Sequence, residues 1–263
     1  GPACAKVSFI AVPDSGAALT RIAEMYLAAV SPRVAGITGS VGKTTTRELS
    51  VAVLRKKYKV HSAIRSFNTI IGCSLTVLSM PPDTDILVLE LGTNHFGEIR
   101  EMVSHFPPDT AVITEVAPAH LEGFGSVEGV LRAKTEICQS PRLKCMVYNA
   151  DNALLHSYML TKRFMSSTAV GRAHDADLRA VSEKISLDAE GARFEAEFES
   201  RFGVVAASVS LFGLQHVYNV GYAIALGRYF SVPDGDIKAA LAEFRPLGGR
   251  GVCKKMGASS WLI

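Results

Sequence analysis

The sequence predicts an α/β protein: a mostly parallel sheet of the phosphate-loop kind, flanked by helices, with a small antiparallel sheet appended to it. Three observations predict this. Short apolar runs alternate with segments of helical period from Val34 to Tyr148, the alternation that right-handed βαβ units require. The first strand-to-helix step is interrupted by the glycine-punctuated stretch Gly39-Ser40-Val41-Gly42-Lys43-Thr44. After about Asp175 the apolar period changes from helical to two, as in half-buried antiparallel strands.

In chain order, Leu19 to Ala29 carries apolar residues at helical spacing and stops at Ser31-Pro32, because the residue before a proline avoids the α region. Val34 to Thr38 is a strand, the glycine stretch a turn, and Thr44 to Lys56 a helix. Ile71 to Leu78 reads as helix, Ile86 to Leu91 as a buried strand, Glu98 to His105 as helix and Thr110 to Val116 as strand. Val127 to Cys138 is a helix and Cys145 to Tyr148 a strand. Leu178 to Leu187, Arg193 to Glu199 and Val204 to Leu211 alternate as antiparallel strands, with turns at Asp188 to Gly191 and Arg201 to Gly203. Gln215 to Tyr229 and Asp234 to Phe244 return to helical period. The first of these is rich in small residues that allow close packing.

Composition excludes several classes. The 263 residues are 48% hydrophobic and 20% charged, which rules out disorder and collagen. A net charge of +3 with scattered basic residues gives no nucleic-acid footprint, and no apolar run reaches the length of a membrane-spanning helix. The five cysteines, Cys4, Cys73, Cys138, Cys145 and Cys253, contain no CxxC spacing, which argues against a disulfide framework and a zinc site and for a reducing cytoplasm.

Three sites carry chemistry. Gly39 to Thr44 lies between strand and helix, where unpaired N–H groups at a helix N-terminus cradle phosphate oxygens. Lys43 would reach the outer phosphates, and the Thr44 hydroxyl would help bind Mg²⁺. The full GxxxxGK[ST] spacing is not met, because Ile37 holds the first glycine position. Glu90 ends the apolar run Ile86 to Leu89, at the carboxyl edge of a strand where open sheets bind ligands. It reads as an Mg²⁺ carboxylate or as a strand-end acid paired to a lysine. His120 follows a strand through Ala117-Pro118-Ala119 and reads as a member of the same cavity or as a structural loop histidine. Lys134, within a helix, reads by itself as a solvated lysine.

Together these residues resemble the Mur ligases. The likeness rests on Gly36 to Thr46, on Leu89-Glu90-Leu91-Gly92-Thr93-Asn94-His95, and on Ala119-His120-Leu121-Glu122-Gly123-Phe124-Gly125-Ser126 with Arg132-Ala133-Lys134-Thr135-Glu136-Ile137. It runs from about Leu19 to Arg250, as the family's central ATP-binding domain, and is nearest the members that join D-alanyl-D-alanine to UDP-N-acetylmuramoyl-tripeptide in peptidoglycan synthesis. The resemblance implies an ATP-dependent, amide-forming ligase working through an acyl phosphate. Gly39, Ser40, Val41, Gly42, Lys43, Thr44 and Thr45 would hold ATP, Thr44 and Glu90 a first Mg²⁺, and His120 a second. Lys134 matches the family's carbamylated lysine, whose acquired negative charge supports that second metal, so Lys43, His120 and Lys134 form the implied catalytic set. Asn219 matches the asparagine that faces adenine, and Arg250 the arginine that reaches ATP from the domain edge. The family pattern GxHNxxN reads Gly213-Leu214-Gln215-His216-Val217-Tyr218-Asn219 here, and Glu115 and Asn68-Thr69 also depart from common residues.

The same nucleotide site is shared by folylpolyglutamate and cyanophycin synthetase relatives, which join other partners. A nucleotide-binding or interaction module without ligase activity is the reading of a different class. Gly1-Pro2 matches the scar of tag removal, so residues 1–33 read as that scar and the end of a lead-in from an N-terminal domain. Residues 34–247 read as the central domain, and residues 248–263 as the start of a C-terminal domain. The isolated chain is therefore expected to fold and hold Mg·ATP but not to ligate.

Overall fold

The computed structural model describes residues 10–63, 66–188 and 191–246, together with the paired strands 254–255 and 261–262. Nine strands form one sheet in the order β2-β3-β1-β4-β5-β6-β7-β8-β9. These strands are β1 (Arg33–Thr38), β2 (Val60–Ser62), β3 (Ile86–Glu90), β4 (Thr110–Ile113), β5 (Cys145–Asn149), β6 (Ser166–Gly171), β7 (Leu178–Asp188), β8 (Gly191–Ser200) and β9 (Gly203–Val209). Neighbours from β2 to β7 are parallel, and β7, β8 and β9 are antiparallel. The appended antiparallel strands thus continue the main sheet edge to edge through the β6–β7 pair. A separate two-residue pair, β10 (Lys254–Lys255) with β11 (Trp261–Leu262), is antiparallel.

Helices cover both faces of the central parallel strands β1, β3, β4 and β5, which is why those strands are buried along nearly their whole length. On one face, α2 (Lys43–Leu54), α8 (His216–Tyr229) and α9 (Asp234–Glu243) bury Leu49, Val53, Ala223, Leu226 and Ile237 against Ile37, Val88, Val112 and Val147. On the other, α1 (Ser15–Val30), α3 (Ile70–Leu78), α4 (Glu98–His105), α6 (Val127–Lys134) and α7 (Ala153–Leu160) close over Val34, Leu87, Leu89, Ala111 and Ile113. The helix assigned on sequence to a lead-in, α1, buries Ala23 and Leu27 in this second core. A single turn, α5 (Leu121–Phe124), precedes α6.

Register puts the site where it is. Ile37 lies beside Glu90 and Thr38 beside Ile113, so β3, β1 and β4 end at one level. The chain leaves β1 onto one face through α2 and leaves β3 onto the other through α4. Strand β1 therefore sits at a topological switch point, where a crevice opens beyond the carboxyl ends.

Several boundaries move. The strand expected over Thr110 to Val116 ends at Ile113, because the next residues turn their hydrogen bonds onto the glycine loop. The Thr114 hydroxyl donates to the Val41 carbonyl at 2.5 Å, and the Ser40 N–H donates to the Glu115 carbonyl at 2.8 Å. The helix expected over Val127 to Cys138 is α-helical only to Lys134 and tightens to a 3₁₀ turn over Thr135–Gln139. There the Glu136 carboxylate accepts from the Gly97 and Arg100 N–H groups at the start of α4. Elements β2, α5, α7 and β6 were not expected. The first half of β6 is Ser-Ser-Thr at its partly exposed end, which gives no strand period to read.

Candidate functional site

The loop after β1 needs glycine at two positions. Gly39 has φ +145°, and a Cβ there would lie 2.0 Å from Thr114 Oγ1. Gly42, which precedes α2, has φ +83°, and its Cβ would meet Asn219 Oδ1 at 2.8 Å. Both values fall where L side chains are strained. The second of these glycines leads directly into α2, whose first N–H groups helix geometry leaves without intrahelical partners. Ser40 Oγ pins the loop by donating to the Ala117 carbonyl at 3.0 Å and accepting from the Ala117 N–H at 3.1 Å. Lys43 Nζ donates to the Gly39 carbonyl at 2.8 Å, which keeps its ammonium over the mouth of the loop.

Below the loop, Thr44 Oγ1 donates to Glu90 Oε2 at 2.9 Å, and Asn68 Nδ2 donates to Glu90 Oε1 at 3.3 Å. Glu90 is 2% exposed. Its countercharge is Arg47, also 2% exposed, with Nη1 3.6 Å from Glu90 Oε2. Sequence reading passed over Arg47. A signal existed, since Lys43 and Arg47 stand four apart on α2 and so share a face.

Lys43, His120 and Lys134 line one cavity of about 210 Å³, with Ser40, Asn68 and Glu98 in its walls. Lys134 is 2% exposed. Burial, followed by the like charge of Lys43, pushes its ammonium down to about 7, and Glu98 opposes the shift. The solvated reading of Lys134 is thereby removed. Burial pushes the Glu98 carboxyl up, but hydrogen bonds from the Asn94 and His95 N–H groups and the Thr93 hydroxyl outweigh it and leave the group below its usual range. His120 is exposed and has φ +51°, an uncommon conformation for a non-glycine residue. It turns the chain from the Ala117-Pro118-Ala119 segment into α5.

Asn219 lies behind the loop, within the contact of α2 and α8. Its Oδ1 accepts from Thr46 Oγ1 at 3.0 Å, and its Nδ2 meets His216 Nδ1 at 3.0 Å. His216 is buried, its Nε2 has no hydrogen-bond partner among the described residues, and burial pushes its imidazole below the usual range. Arg250 lies outside the described residues.

The donor set suits a hard cation that arrives with phosphate. Among the described residues, no three His, Cys, Asp or Glu side chains converge as a metal cage. Magnesium is commonly held by one or two carboxylates and substrate oxygens. Adjacent oxygens of an octahedron with bonds of about 2.05 Å lie about 2.9 Å apart, the separation found between Thr44 Oγ1 and Glu90 Oε2.

Residues 37–227 match the model of the Mur ligase middle domain. The chain belongs to the Mur ligase family. This Mur ligase domain is 36% identical over 243 residues to the UDP-N-acetylmuramoyl-tripeptide–D-alanyl-D-alanine ligase of Bacillus subtilis, covering 92% of this chain and 51% of that protein. The Escherichia coli enzyme of the same name is 33% identical over 244 residues, covering 91% and 52%. The chain thus spans about half the length of the curated relatives it matches. Among solved structures, MurF ligase from Thermotoga maritima in complex with ADP superposes with a TM-score of 0.81 at 27% identity, covering 95% of this chain and 58% of that one. MurF from Acinetobacter baumannii gives a TM-score of 0.83 at 24% identity, covering 99% and 56%. Among the described residues, no helix is long and apolar enough to cross a membrane.

Proposed function

We propose that this chain is the ATP- and Mg²⁺-binding part of a ligase that adds D-alanyl-D-alanine to UDP-N-acetylmuramoyl-tripeptide in peptidoglycan synthesis. The observation that carries the reading is the pairing of Thr44 with Glu90 directly beneath a glycine loop whose Lys43 shares a cavity with His120 and Lys134. The relatives in Bacillus subtilis and Escherichia coli supply the substrate names, and the ADP held by the Thermotoga maritima structure supports the nucleotide.

In this reading, the N–H groups of Gly39 to Thr45 and the Lys43 ammonium hold the triphosphate. Lys43 leaves the Gly39 carbonyl to do so, exchanging one acceptor for a charged one. Thr44 and Glu90 hold a first Mg²⁺, and His120, assisted by a carbamylated Lys134, holds a second. The metal supplies charge neutralisation at the transferred phosphoryl group. A substrate carboxylate oxygen attacks the γ-phosphorus and ADP leaves. The dipeptide amine then attacks the acyl carbon and phosphate leaves. Lys134 suits carbamylation because CO₂ adds to a neutral amine, and an ammonium held down to about 7 is substantially neutral at physiological pH. Asn219 and Arg250 serve the adenosine end. For Asn219, this requires the amide to give up its bond to Thr46 or to act through His216.

Calorimetry with Mg·ATP tests the core of this reading. Lys43→Ala is expected to weaken binding tenfold or more, and equal affinity for both proteins would overturn it. A ¹³C-bicarbonate label that yields a carbamate resonance in the wild type but not in Lys134→Ala would support the second metal site.

A further inference from the structure

A guanidinium buried to 2% exposure is costly unless it is paired, and Arg47 spends its two arms on two carboxylates. Nη1 stands 3.6 Å from Glu90 Oε2, and Nη2 stands 3.6 Å from Glu48 Oε1. Glu90 Oε1 is meanwhile fixed by Asn68 and Oε2 by the Thr44 hydroxyl. Turning the Glu90 carboxylate about its last bond would therefore break contacts on both oxygens. A cation held by Thr44 and Glu90 would take the place of the Thr44 hydrogen bond on Oε2, the oxygen that Arg47 approaches at 3.6 Å, and would leave the Asn68 bond on Oε1.

We propose that Arg47 is a positioning residue that keeps the Glu90 carboxylate aimed at the Thr44 hydroxyl, so that the two oxygens stand ready for a divalent cation before it arrives. The proposal rests on the reading of Thr44 and Glu90 as Mg²⁺ ligands. The planar guanidinium presents a separate nitrogen to each of Glu48 and Glu90, whereas a lysine would offer one compact charge to both. Partners that orient metal ligands typically contribute 10–100-fold in metal affinity.

The test is a set of calorimetric ATP titrations of the whole chain at stepped Mg²⁺ concentrations and in EDTA, for wild type, Arg47→Met and Arg47→Lys. Arg47→Met is expected to raise the Mg²⁺ concentration for half-maximal enhancement about 10–100-fold. It should change the affinity for metal-free ATP by less than about threefold, with Arg47→Lys falling between it and wild type. An unchanged or lowered Mg²⁺ requirement in Arg47→Met overturns the proposal, and so does an equal loss for metal-free ATP and Mg·ATP. If Arg47→Met does not fold, as judged by circular dichroism, Arg47→Lys decides: a severalfold rise supports the proposal, and identity with wild type overturns it. A wild-type chain that binds ATP with no response to Mg²⁺ removes the metal reading itself and the proposal with it.

Discussion

The crest where β3, β1 and β4 end and the wing of β7, β8 and β9 belong to one sheet, yet they bury different chemistry. The crest encloses Thr44, Thr46, Arg47, Glu90, Thr114, Lys134 and Asn219. The wing encloses Phe194, Phe198, Val205 and Val209 and keeps its charges in partly exposed pairs such as Arg179–Glu199 and Lys184–Glu195. Buried polar groups cost stability unless each is satisfied, whereas buried apolar area contributes to it directly. The difference teaches that the wing contributes stability chiefly through apolar burial, whereas the crest gives up part of the stability of the two cores to a prearranged site.

The largest expected effect lies in the wing. Phe198 is fully buried against α8, where it lies close to Gly221. Phe198→Ala should cost about 3–5 kcal/mol in urea unfolding, with the Mg·ATP affinity of the folded fraction unchanged within about threefold. A large loss of affinity would break the division between the two regions. Next comes Gly39→Ala, which places a Cβ 2.0 Å from Thr114 Oγ1 at φ +145°. Backbone strain alone should cost roughly 1–3 kcal/mol. Here, unlike in the wing, nucleotide affinity should collapse as the loop opens.

A third effect depends on pH. Unfolded Lys134 keeps its proton to its ordinary value of 10.5, whereas the folded group releases it at about 7. Between these values the unfolded chain holds the extra proton, so stability rises with pH from about 7 and the gain is complete near 10.5. The slope should approach roughly 1.4 kcal/mol per pH unit. Urea unfolding in CO₂-free buffer at pH 7, 8 and 9 should show this slope in the wild type relative to Lys134→Met. A constant difference between the two would mean that Lys134 is not held neutral.

Much of this was legible in the sequence, for reasons that particular residues make plain. Glu98 to His105 could be read to the residue because an amphipathic segment is bounded by Gly97 and by the turn toward Pro107. Glu90 announced itself as a carboxylate closing an apolar run. Lys134 could not be read in this way, because burial of a helical lysine is decided by what packs over it from α4 and the loops, and only the resemblance singled it out. Arg47 was hidden by the same limit. A charged residue in the first turns of a helix reads as solvated until the sheet shows that its face is covered.

The smallest expected effect sharpens the comparison most, because it sets two ion pairs side by side. Lys184 Nζ lies 3.1 Å from Glu195 Oε2 in the wing, with side chains 71% and 34% exposed. Arg47 and Glu90 lie 3.6 Å apart in the crest, each 2% exposed. Water screens the first pair, and ordering two long side chains offsets part of its attraction, so a double-mutant cycle on Lys184→Ala and Glu195→Ala should return about 0.2–1 kcal/mol. That value should shrink in 1 M NaCl, where the screening length falls to about 3 Å. The same cycle on Arg47→Met and Glu90→Gln should return a larger coupling energy with little response to salt, because little water reaches a pair whose members are each 2% exposed. The buried pair is the longer of the two, so a stronger coupling there would be due to burial and not to closer approach. If the two pairs return the same energy and the same salt dependence, the crest is wetter than its geometry indicates, and the contrast drawn between the two regions fails.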